Sequence, residues 1–195
     1  MYPRTLSLFT FSKSYAMTGL RFGYLAVKDA RLRERLTKLL FLTTSNVSSI
    51  VQFGAIGALQ GSRDVVETFR VELEARRDLF YDGIRKAAAG VLGGRPPLGA
   101  FYAFLAIDPG WQAAGGTREV GGGRREAAGR GPEAESGQAT SRSWAMAERL
   151  IREGRVGCIP GVDFGACGEG YVRLSLTQPK ERIKEACKRI SSLFK

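Results

Sequence analysis

The chain has 195 residues, of which 44% are hydrophobic and 25% are charged, a composition typical of a globular protein that buries a core. It contains no run of about 18 apolar residues and no apolar stretch followed by a cleavage site, so we expect no membrane span, no secretory signal and a cytoplasmic location. The net charge is +11, and the lack of histidine removes the commonest general base and metal ligand.

The positive charge has two interpretations. A basic surface could bind nucleic acid. However, the lysines and arginines alternate with acidic residues, as in RLRERLTK and KERIKEACKR, which is typical of solvated helix faces. We therefore expect no nucleic-acid partner, and a charge excess that suits phosphates and carboxylates. The three cysteines have no CxxC spacing, so we predict neither a disulfide framework nor a metal site.

The first half of the chain is predicted to begin with two strands and to continue as helices. The predicted elements are strands over residues 4–12 and 21–27, and helices over residues 29–42, 50–61 and 64–89. Asp64 is expected to cap the last of these, with Glu67 completing a capping box. A helix of about 26 residues spans about 39 Å, which is long enough to bridge two domains.

The second half is predicted to be an α/β subdomain. Its elements are a strand over residues 101–107, a helix over 142–154, a strand over 155–160, a glycine-rich loop over 161–170, a strand over 171–177 and a helix from 179. The strand over 171–177 alternates apolar Val172 and Leu174 with Arg173. Pro179 is expected in the first turn of the last helix.

Residues 110–141 interrupt this subdomain. They include nine glycines and six alanines, with almost no large apolar side chain after Trp111. Such a segment cannot bury enough surface to offset its ordering entropy, so we predict a disordered insertion. Its arginines are matched in number by glutamates and are not interleaved with aromatic residues, which favours a flexible loop over an RNA-binding segment.

The turn after the first strand, FTFSKSYAMTGLRFG, carries a candidate site. A lysine in a tight turn, Lys13, can form a Schiff base with a carbonyl compound. Arg21 offers a bidentate fork for a phosphate, and the hydroxyls of Thr10 and Ser12 add hydrogen bonds to it. A carbonyl and a phosphate on one small molecule describe pyridoxal phosphate. For an isolated S-K-x-Y, a surface lysine in a polar loop would be the better explanation.

The whole stretch resembles the lysine signature of class I/II (fold-type I) pyridoxal-phosphate aminotransferases, the aspartate aminotransferase superfamily. The family pattern is S-x-S-K-x-(aromatic)-x-M-x-G-x-R-(aliphatic)-G. The residues in place here are Ser12, Lys13, Tyr15, Met17, Gly19, Arg21 and Gly23. Thr10 replaces the usual serine and keeps the hydroxyl, and Phe22 replaces an aliphatic residue.

The resemblance continues in TTSNVSSIVQFGAIGAL, PPLGAFYAFLAI and VGCIPGVDFGACGEGYVRLSL. In the family, the arginine of the last segment binds the α-carboxylate of the substrate, and Arg173 matches it. The residues themselves agree, because Arg173 faces away from Val172 and Leu174 and follows a glycine-rich loop that leaves room for a ligand.

The resemblance implies an α/β fold in three parts. Residues 1–62 would be the last part of the large cofactor-binding domain, residues 63–90 an interdomain helix, and residues 91–195 the small C-terminal domain. The family also implies a homodimer. Lys13 would hold the cofactor as an aldimine, be displaced by the amine of an L-amino acid and move the α-proton, so that the amino group passes to a 2-oxo acid.

The family's aspartate on the pyridine nitrogen, its tyrosine and asparagine, and its second phosphate-binding loop all lie upstream of the lysine, whereas only 12 residues precede Lys13. We therefore interpret the chain as roughly the C-terminal half of an aminotransferase and expect weak activity from it alone. A noncatalytic remnant or interaction module is the alternative, and nucleic-acid binding is a distant third. The intact Lys13, Arg21 and Arg173 favour descent from an active enzyme.

Overall fold

The structure is a computed structural model that describes residues 5–112 and 141–194. The helices and strands are, in chain order, β1 (Ser7–Thr10), β2 (Gly23–Ala26), α1 (Ala30–Thr44), α2 (Ser49–Gln60), α3 (Asp64–Ala87), β3 (Leu92–Gly93), β4 (Tyr102–Ile107), α4 (Arg142–Arg152), β5 (Ile159–Pro160), β6 (Tyr171–Ser175) and α5 (Lys180–Leu193). The chain divides into two compact units, residues 1–72 and 73–195, with the boundary inside α3. No described helix combines the length and the apolarity needed to cross a membrane.

The first unit contains an antiparallel hairpin of β1 and β2. Leu8 lies opposite Leu25, and Thr10 lies opposite Gly23. A Cβ at Gly23 would come within 2.6 Å of the Phe9 carbonyl oxygen, so this pairing needs glycine. Both strands are shorter than predicted, and the turn between them takes up residues 11–12 and 21–22.

The helices of the first unit leave much apolar surface uncovered. The predicted start of α1 is confirmed, since the Asp29 carboxylate accepts a hydrogen bond from the Leu32 amide at 2.8 Å. Within the part of this unit that the structure describes, the buried apolar side chains are Phe11 and Ala55. Helix α2 is apolar on all sides, yet Ile50 is 81% exposed and Phe53 is 74% exposed. Exposed apolar surface of this extent is typical of a binding face.

The second unit has a substantial hydrophobic core. Its four-stranded antiparallel sheet has the order β3-β4-β6-β5. The alternation predicted for β6 is confirmed, because Val172 and Leu174 are buried and Arg173 is not. The core side chains of the sheet pack with buried residues from α3, α4 and α5. Helices α3 and α5 approach closely at Gly83, where a Cβ would lie 2.6 Å from the Cys187 sulfur.

The start predicted for α3 at Asp64 is confirmed, but the predicted capping box and the predicted position of Pro179 are wrong. Asp64 is the first residue of α3 and not its cap, because the Ser62 hydroxyl accepts a hydrogen bond from the Asp64 amide at 3.0 Å. Glu67 forms a salt bridge with Arg70 one turn along the same helix in place of the predicted capping box. Pro179 precedes α5, and its carbonyl accepts the first helical hydrogen bond.

The strand predicted over residues 155–160 is reduced to β5. Arg155 has a φ of 50°, which is incompatible with an extended strand. The next amide, of Val156, donates to the Leu150 carbonyl at 2.9 Å, so it is not available to a neighbouring strand. The chain therefore turns at the end of α4 before it joins the sheet.

Most of the insertion predicted over residues 110–141 lies outside the described residues, so its disorder stays a prediction. Its two ends are ordered. The Trp111 amide donates to the Asp108 carbonyl at 3.0 Å, and the Ser141 hydroxyl caps α4 by accepting from the Trp144 amide at 3.2 Å.

Removing a core side chain should destabilise the second unit strongly. Leu150 is fully buried, and we expect Leu150→Ala to lower the free energy of unfolding by about 3 kcal/mol, because it leaves a cavity. The adjacent Ile151 is 49% exposed, and Ile151→Ala is a matched control that should cost about 0.5 kcal/mol. Urea unfolding measures both values. Equal losses would contradict the core described for this unit.

Candidate functional site

The turn that carries Lys13 is anchored by a buried aromatic ring. Phe11 is 2% exposed, and its ring centroid lies 5.3 Å from that of Tyr15 and 5.0 Å from that of Phe22. The Phe11 amide donates to the Phe22 carbonyl, and the Phe11 carbonyl accepts from the Met17 amide, both at 3.3 Å. Phe11 therefore ties the start of the turn to its end by side chain and backbone.

The hydroxyl side chains of the turn are held by one another. The Thr10 hydroxyl donates to Ser12 Oγ at 3.1 Å and accepts from the Ser12 amide at 3.2 Å. The Thr18 hydroxyl donates to the Ser12 carbonyl at 2.8 Å. Thr10 and Ser12 therefore present their hydroxyls together, in an arrangement that is already ordered before any ligand binds.

Arg21 lies at the end of the same turn in an unusual backbone conformation. Its φ of 52° lies in the left-handed region, which costs a residue with a Cβ about 1–2 kcal/mol. Its guanidinium donates to the Thr18 carbonyl at 3.0 Å, and this is its one hydrogen bond to the described residues. Since a guanidinium has five N–H donors, most of them are available to an anion.

A cavity of about 380 Å³ brings three of the predicted residues together. Thr10, Ser12 and Arg21 line it, beside apolar side chains of the hairpin and Leu40 of α1. Lys13 is exposed on the same turn, and its carbonyl accepts from the Ala16 amide at 3.2 Å. Two hydroxyls and a guanidinium suit a phosphate group, and the apolar wall suits an aromatic ring, so the residues present fit pyridoxal phosphate.

Arg173 lies in the second unit, on the sheet face that does not carry the core. It is opposite Phe104 of β4 and Ile159 of β5. Its guanidinium carbon is 4.3 Å from the ring centroid of Tyr102 and 4.2 Å from that of Phe164. Cation–π contacts of this kind contribute about 0.5–2 kcal/mol each. Because the guanidinium of Arg173 has no hydrogen bond or salt bridge to the described residues, its N–H donors are available to a carboxylate.

The sequence analysis missed the aromatic residues around Arg173. Phe104 stacks on Tyr171 at 5.0 Å and meets Phe164 edge-on at 6.2 Å, so the rings support one another. Tyr102 and Phe104 are two residues apart on β4, and Tyr171 and Arg173 are two residues apart on β6. Because side chains two apart on a strand share a face, this spacing could have predicted that they lie together. Phe164 lies in a loop, where no periodicity indicates direction.

The glycine-rich loop that carries Phe164 is fixed by a buried serine. The hydroxyl of Ser143, at the start of α4, accepts from the amides of Gly170 (2.9 Å) and Tyr171 (3.2 Å) and donates to the Gly168 carbonyl (3.3 Å). Gly161 and Gly168 lie back to back, since a Cβ on either would overlap the carbonyl oxygen of the other. The loop can therefore fold tightly enough to place Phe164 over Arg173.

The carboxylate of Glu169 also holds the glycine-rich loop to the start of α4. Glu169 accepts from the Ser141 hydroxyl at 2.6 Å and from the Ser143 amide at 3.3 Å. Burial by itself would raise the pKa of Glu169, but these hydrogen bonds, with those from the amides of Arg142 and Gly170, outweigh it and hold the pKa below the usual range for glutamate. The negative charge also suits the N-terminus of α4.

The stability of the chain should depend on pH through Glu169. A carboxylate whose pKa is lower in the folded state stabilises the fold above its unfolded pKa, and this contribution is lost as the pH falls through the folded pKa. We expect Glu169→Gln to cost about 1–2 kcal/mol at neutral pH and to flatten the decline on acidification. Urea unfolding from neutral pH down through the acidic range measures this. Glu148→Gln, on the exposed side of α4, is the control and should keep the decline.

The comparisons with known proteins identify the family. A model described as aminotransferase class I and II matches residues 1–190. The chain belongs to this family. The predicted family is thereby confirmed, and its cofactor is pyridoxal phosphate.

Related proteins carry aminotransferase names. A probable aspartate aminotransferase of Methanocaldococcus jannaschii is 33% identical over 94% of this chain and 41% of its own length. Aromatic-amino-acid aminotransferase 2 of Thermococcus litoralis is 29% identical over 100% of this chain and 42% of its own length. This chain thus spans about two fifths of the length of the curated relatives it matches.

Solved structures confirm the fold-type I assignment. An aromatic aminotransferase from Pyrococcus horikoshii superimposes with a TM-score of 0.76 at 30% identity, covering 98% of this chain and 43% of the other. The aspartate aminotransferase from Rhizobium meliloti gives 0.77 at 27% identity, covering 98% and 42%. The roles predicted for individual residues and the predicted domain limits stay predictions.

Proposed function

We propose that this chain supplies the cofactor lysine and the carboxylate-binding arginine of an aminotransferase that passes an amino group from an L-amino acid to a 2-oxo acid. The observation that carries the proposal is the Lys13 turn, where Thr10, Ser12 and Arg21 line one cavity. Pyridoxal phosphate, when bound, supplies the electron sink for the α-carbon of the substrate.

Each residue has a distinct role in this proposal. Lys13 would hold the cofactor, and its Nζ would take and return the α-proton of the substrate. The hydroxyls of Thr10 and Ser12 and the guanidinium of Arg21 bind the phosphate. Arg173 binds the α-carboxylate of the substrate.

The α-carboxylate is common to all amino acids, so Arg173 does not select among them. Because relatives are named for aspartate and for aromatic amino acids, we propose aspartate as the first substrate to test and aromatic amino acids as the second. A homodimer and a cytoplasmic location also belong to the proposal.

The relatives contain a further three fifths of sequence that this chain does not match. We propose that residues equivalent to that part supply the rest of the active site. The exposed apolar residues of α2, Ile50 and Phe53 among them, support this, because a cofactor domain of ordinary size would cover them. The intact Lys13, Arg21 and Arg173 favour a catalytic role over a noncatalytic remnant.

A chimeric enzyme tests the proposal. This chain replaces the aligned part of the Methanocaldococcus jannaschii relative, and amino transfer from L-aspartate to a 2-oxo acid is measured. We expect turnover that is lost in the Lys13→Ala chimera. A chimera that folds and binds the cofactor but transfers no amino group would favour the remnant. Turnover that survives Lys13→Ala would overturn the role of this lysine.

A further inference from the structure

The second unit has a groove that none of the proposed cofactor or substrate residues lines. Its volume is about 390 Å³, within the size range of small-ligand sites. The first half of α5 and the segment 155–157 form its walls, and Phe80 and Leu174 contribute apolar surface between them. The groove therefore shares no lining residue with the cavity at the Lys13 turn.

The groove carries an excess of positive charge. Arg155, Arg182 and Arg189 line it together with one carboxylate, Glu185. Arg189 is already engaged, since its guanidinium contacts Glu185 at 2.9 Å and donates to the Arg155 carbonyl at 3.4 Å. The guanidinium groups of Arg155 and Arg182 have no hydrogen bond or salt bridge to any residue that the structure describes. Two guanidinium groups are thus left without a counter-charge at one groove.

Arg155 is held at the groove by a backbone conformation that is costly for arginine. Its φ of 50° lies in the left-handed region, which glycine or asparagine would occupy at lower energy. The hydrogen bonds from the Val156 amide to Leu150 and from Arg189 to the Arg155 carbonyl maintain this conformation. Such strain at a non-glycine residue is typical of functional positions.

The rest of the lining is suited to an organic molecule. Gln178 also lines the groove, and its side-chain amide has no partner among residues 5–112 and 141–194. The partly buried Ala186 and the exposed edges of Phe80 and Ile183 give the groove an apolar floor. An ordinary solvated face with basic residues would lack this apolar floor, and an inorganic ion would make no use of it.

We propose that this groove binds a small organic anion, with a phosphate or carboxylate group on Arg155 and Arg182 and an apolar body against Ala186 and the edges of Phe80 and Ile183. Guanidinium groups bind both kinds of anion in bidentate geometry. The size of the groove, and its single cluster of donors, suit one anionic group on a small body.

Four probes separate the parts of this proposal. Phenyl phosphate and phenylacetate each have an anionic group and an apolar ring. Inorganic phosphate has only the anionic group, and benzyl alcohol has the ring without a charge. Each is titrated into the 195-residue chain while the amide signals of Gly157 and Gln178, which line the groove, are followed by NMR. We expect one or both of the first two probes to bind at least about tenfold more tightly than inorganic phosphate or benzyl alcohol.

Variants on one helix supply the matched control. Arg182→Glu should weaken binding by about tenfold or more. Lys188→Glu makes the same charge change on the exposed side of α5 and should leave binding within about twofold. Arg155→Asn tolerates the left-handed backbone and should weaken binding without unfolding the chain.

Several results would overturn the proposal. One is an equal loss in Arg182→Glu and Lys188→Glu, which would indicate attraction to the overall charge. Another is that inorganic phosphate binds as tightly as phenyl phosphate and phenylacetate, which would show that the apolar floor contributes nothing to binding. The third is the absence of any probe-dependent shift at Gly157 and Gln178. A preference for phenyl phosphate or for phenylacetate would support the proposal and identify the anionic group.

Discussion

Replacing Lys13 by alanine is expected to abolish covalent capture of pyridoxal phosphate by this chain. With the natural lysine, borohydride reduction of the mixture should leave the label on the peptide that contains Lys13, because a reduced Schiff base is a stable secondary amine. In Lys13→Ala the label should fall to background. Lys13 is exposed, so its loss should change the free energy of unfolding by no more than about 0.5 kcal/mol.

The control for this experiment is another exposed lysine of the same unit. Lys38 of α1 forms a surface salt bridge with Glu34, and its side chain is 74% exposed. Lys38→Ala should retain full labelling at Lys13. Label on a different lysine of the natural chain, or label that persists in Lys13→Ala, would show that Lys13 is not the cofactor residue.

Arg173→Leu is expected to have the second large effect, on the use of carboxylate substrates. Two charge-assisted hydrogen bonds are worth about 3–5 kcal/mol, so kcat/KM of the chimeric enzyme should fall by about 10²–10⁴-fold. Arg173→Lys keeps the charge but loses the bidentate fork, so its kcat/KM should lie between those of Arg173→Leu and the unchanged chimeric enzyme. Arg152→Leu, on the exposed side of α4, should leave kcat/KM unchanged.

The ring contacts of Arg173 predict a smaller effect at Phe164. Removing one aromatic contact should cost about 1 kcal/mol, so Phe164→Leu should lower kcat/KM by about fivefold, mainly through KM. If Arg173→Leu instead left KM for the carboxylate substrate unchanged, the assignment of Arg173 would be wrong, whatever the effect of Phe164→Leu.

Several elements follow from local sequence signals alone. The helix start at Asp29 and the alternation of Val172 and Leu174 with Arg173 are predicted correctly, because the interactions that form them lie within a few residues. The helix start at Asp64 is also correct, but the capping box predicted there is wrong, and Pro179 lies just before α5 and not in its first turn. Polar groups at a helix start have more than one possible partner, since the Asp64 amide bonds to the Ser62 hydroxyl and the Glu67 carboxylate pairs with Arg70.

The sequence by itself determined the family, the α/β fold class and the turn that gathers Lys13 with its neighbouring hydroxyls, since these depend on residue types at short, fixed spacings. Tertiary structure alone decided that Phe164 and Tyr102 both contact the Arg173 guanidinium, that Ser143 and Glu169 tie the glycine-rich loop to α4 across 26 residues, and that Arg155 and Arg182 share a groove. The physical reason is that such contacts join positions far apart in the chain, and only the packing of the core brings them together.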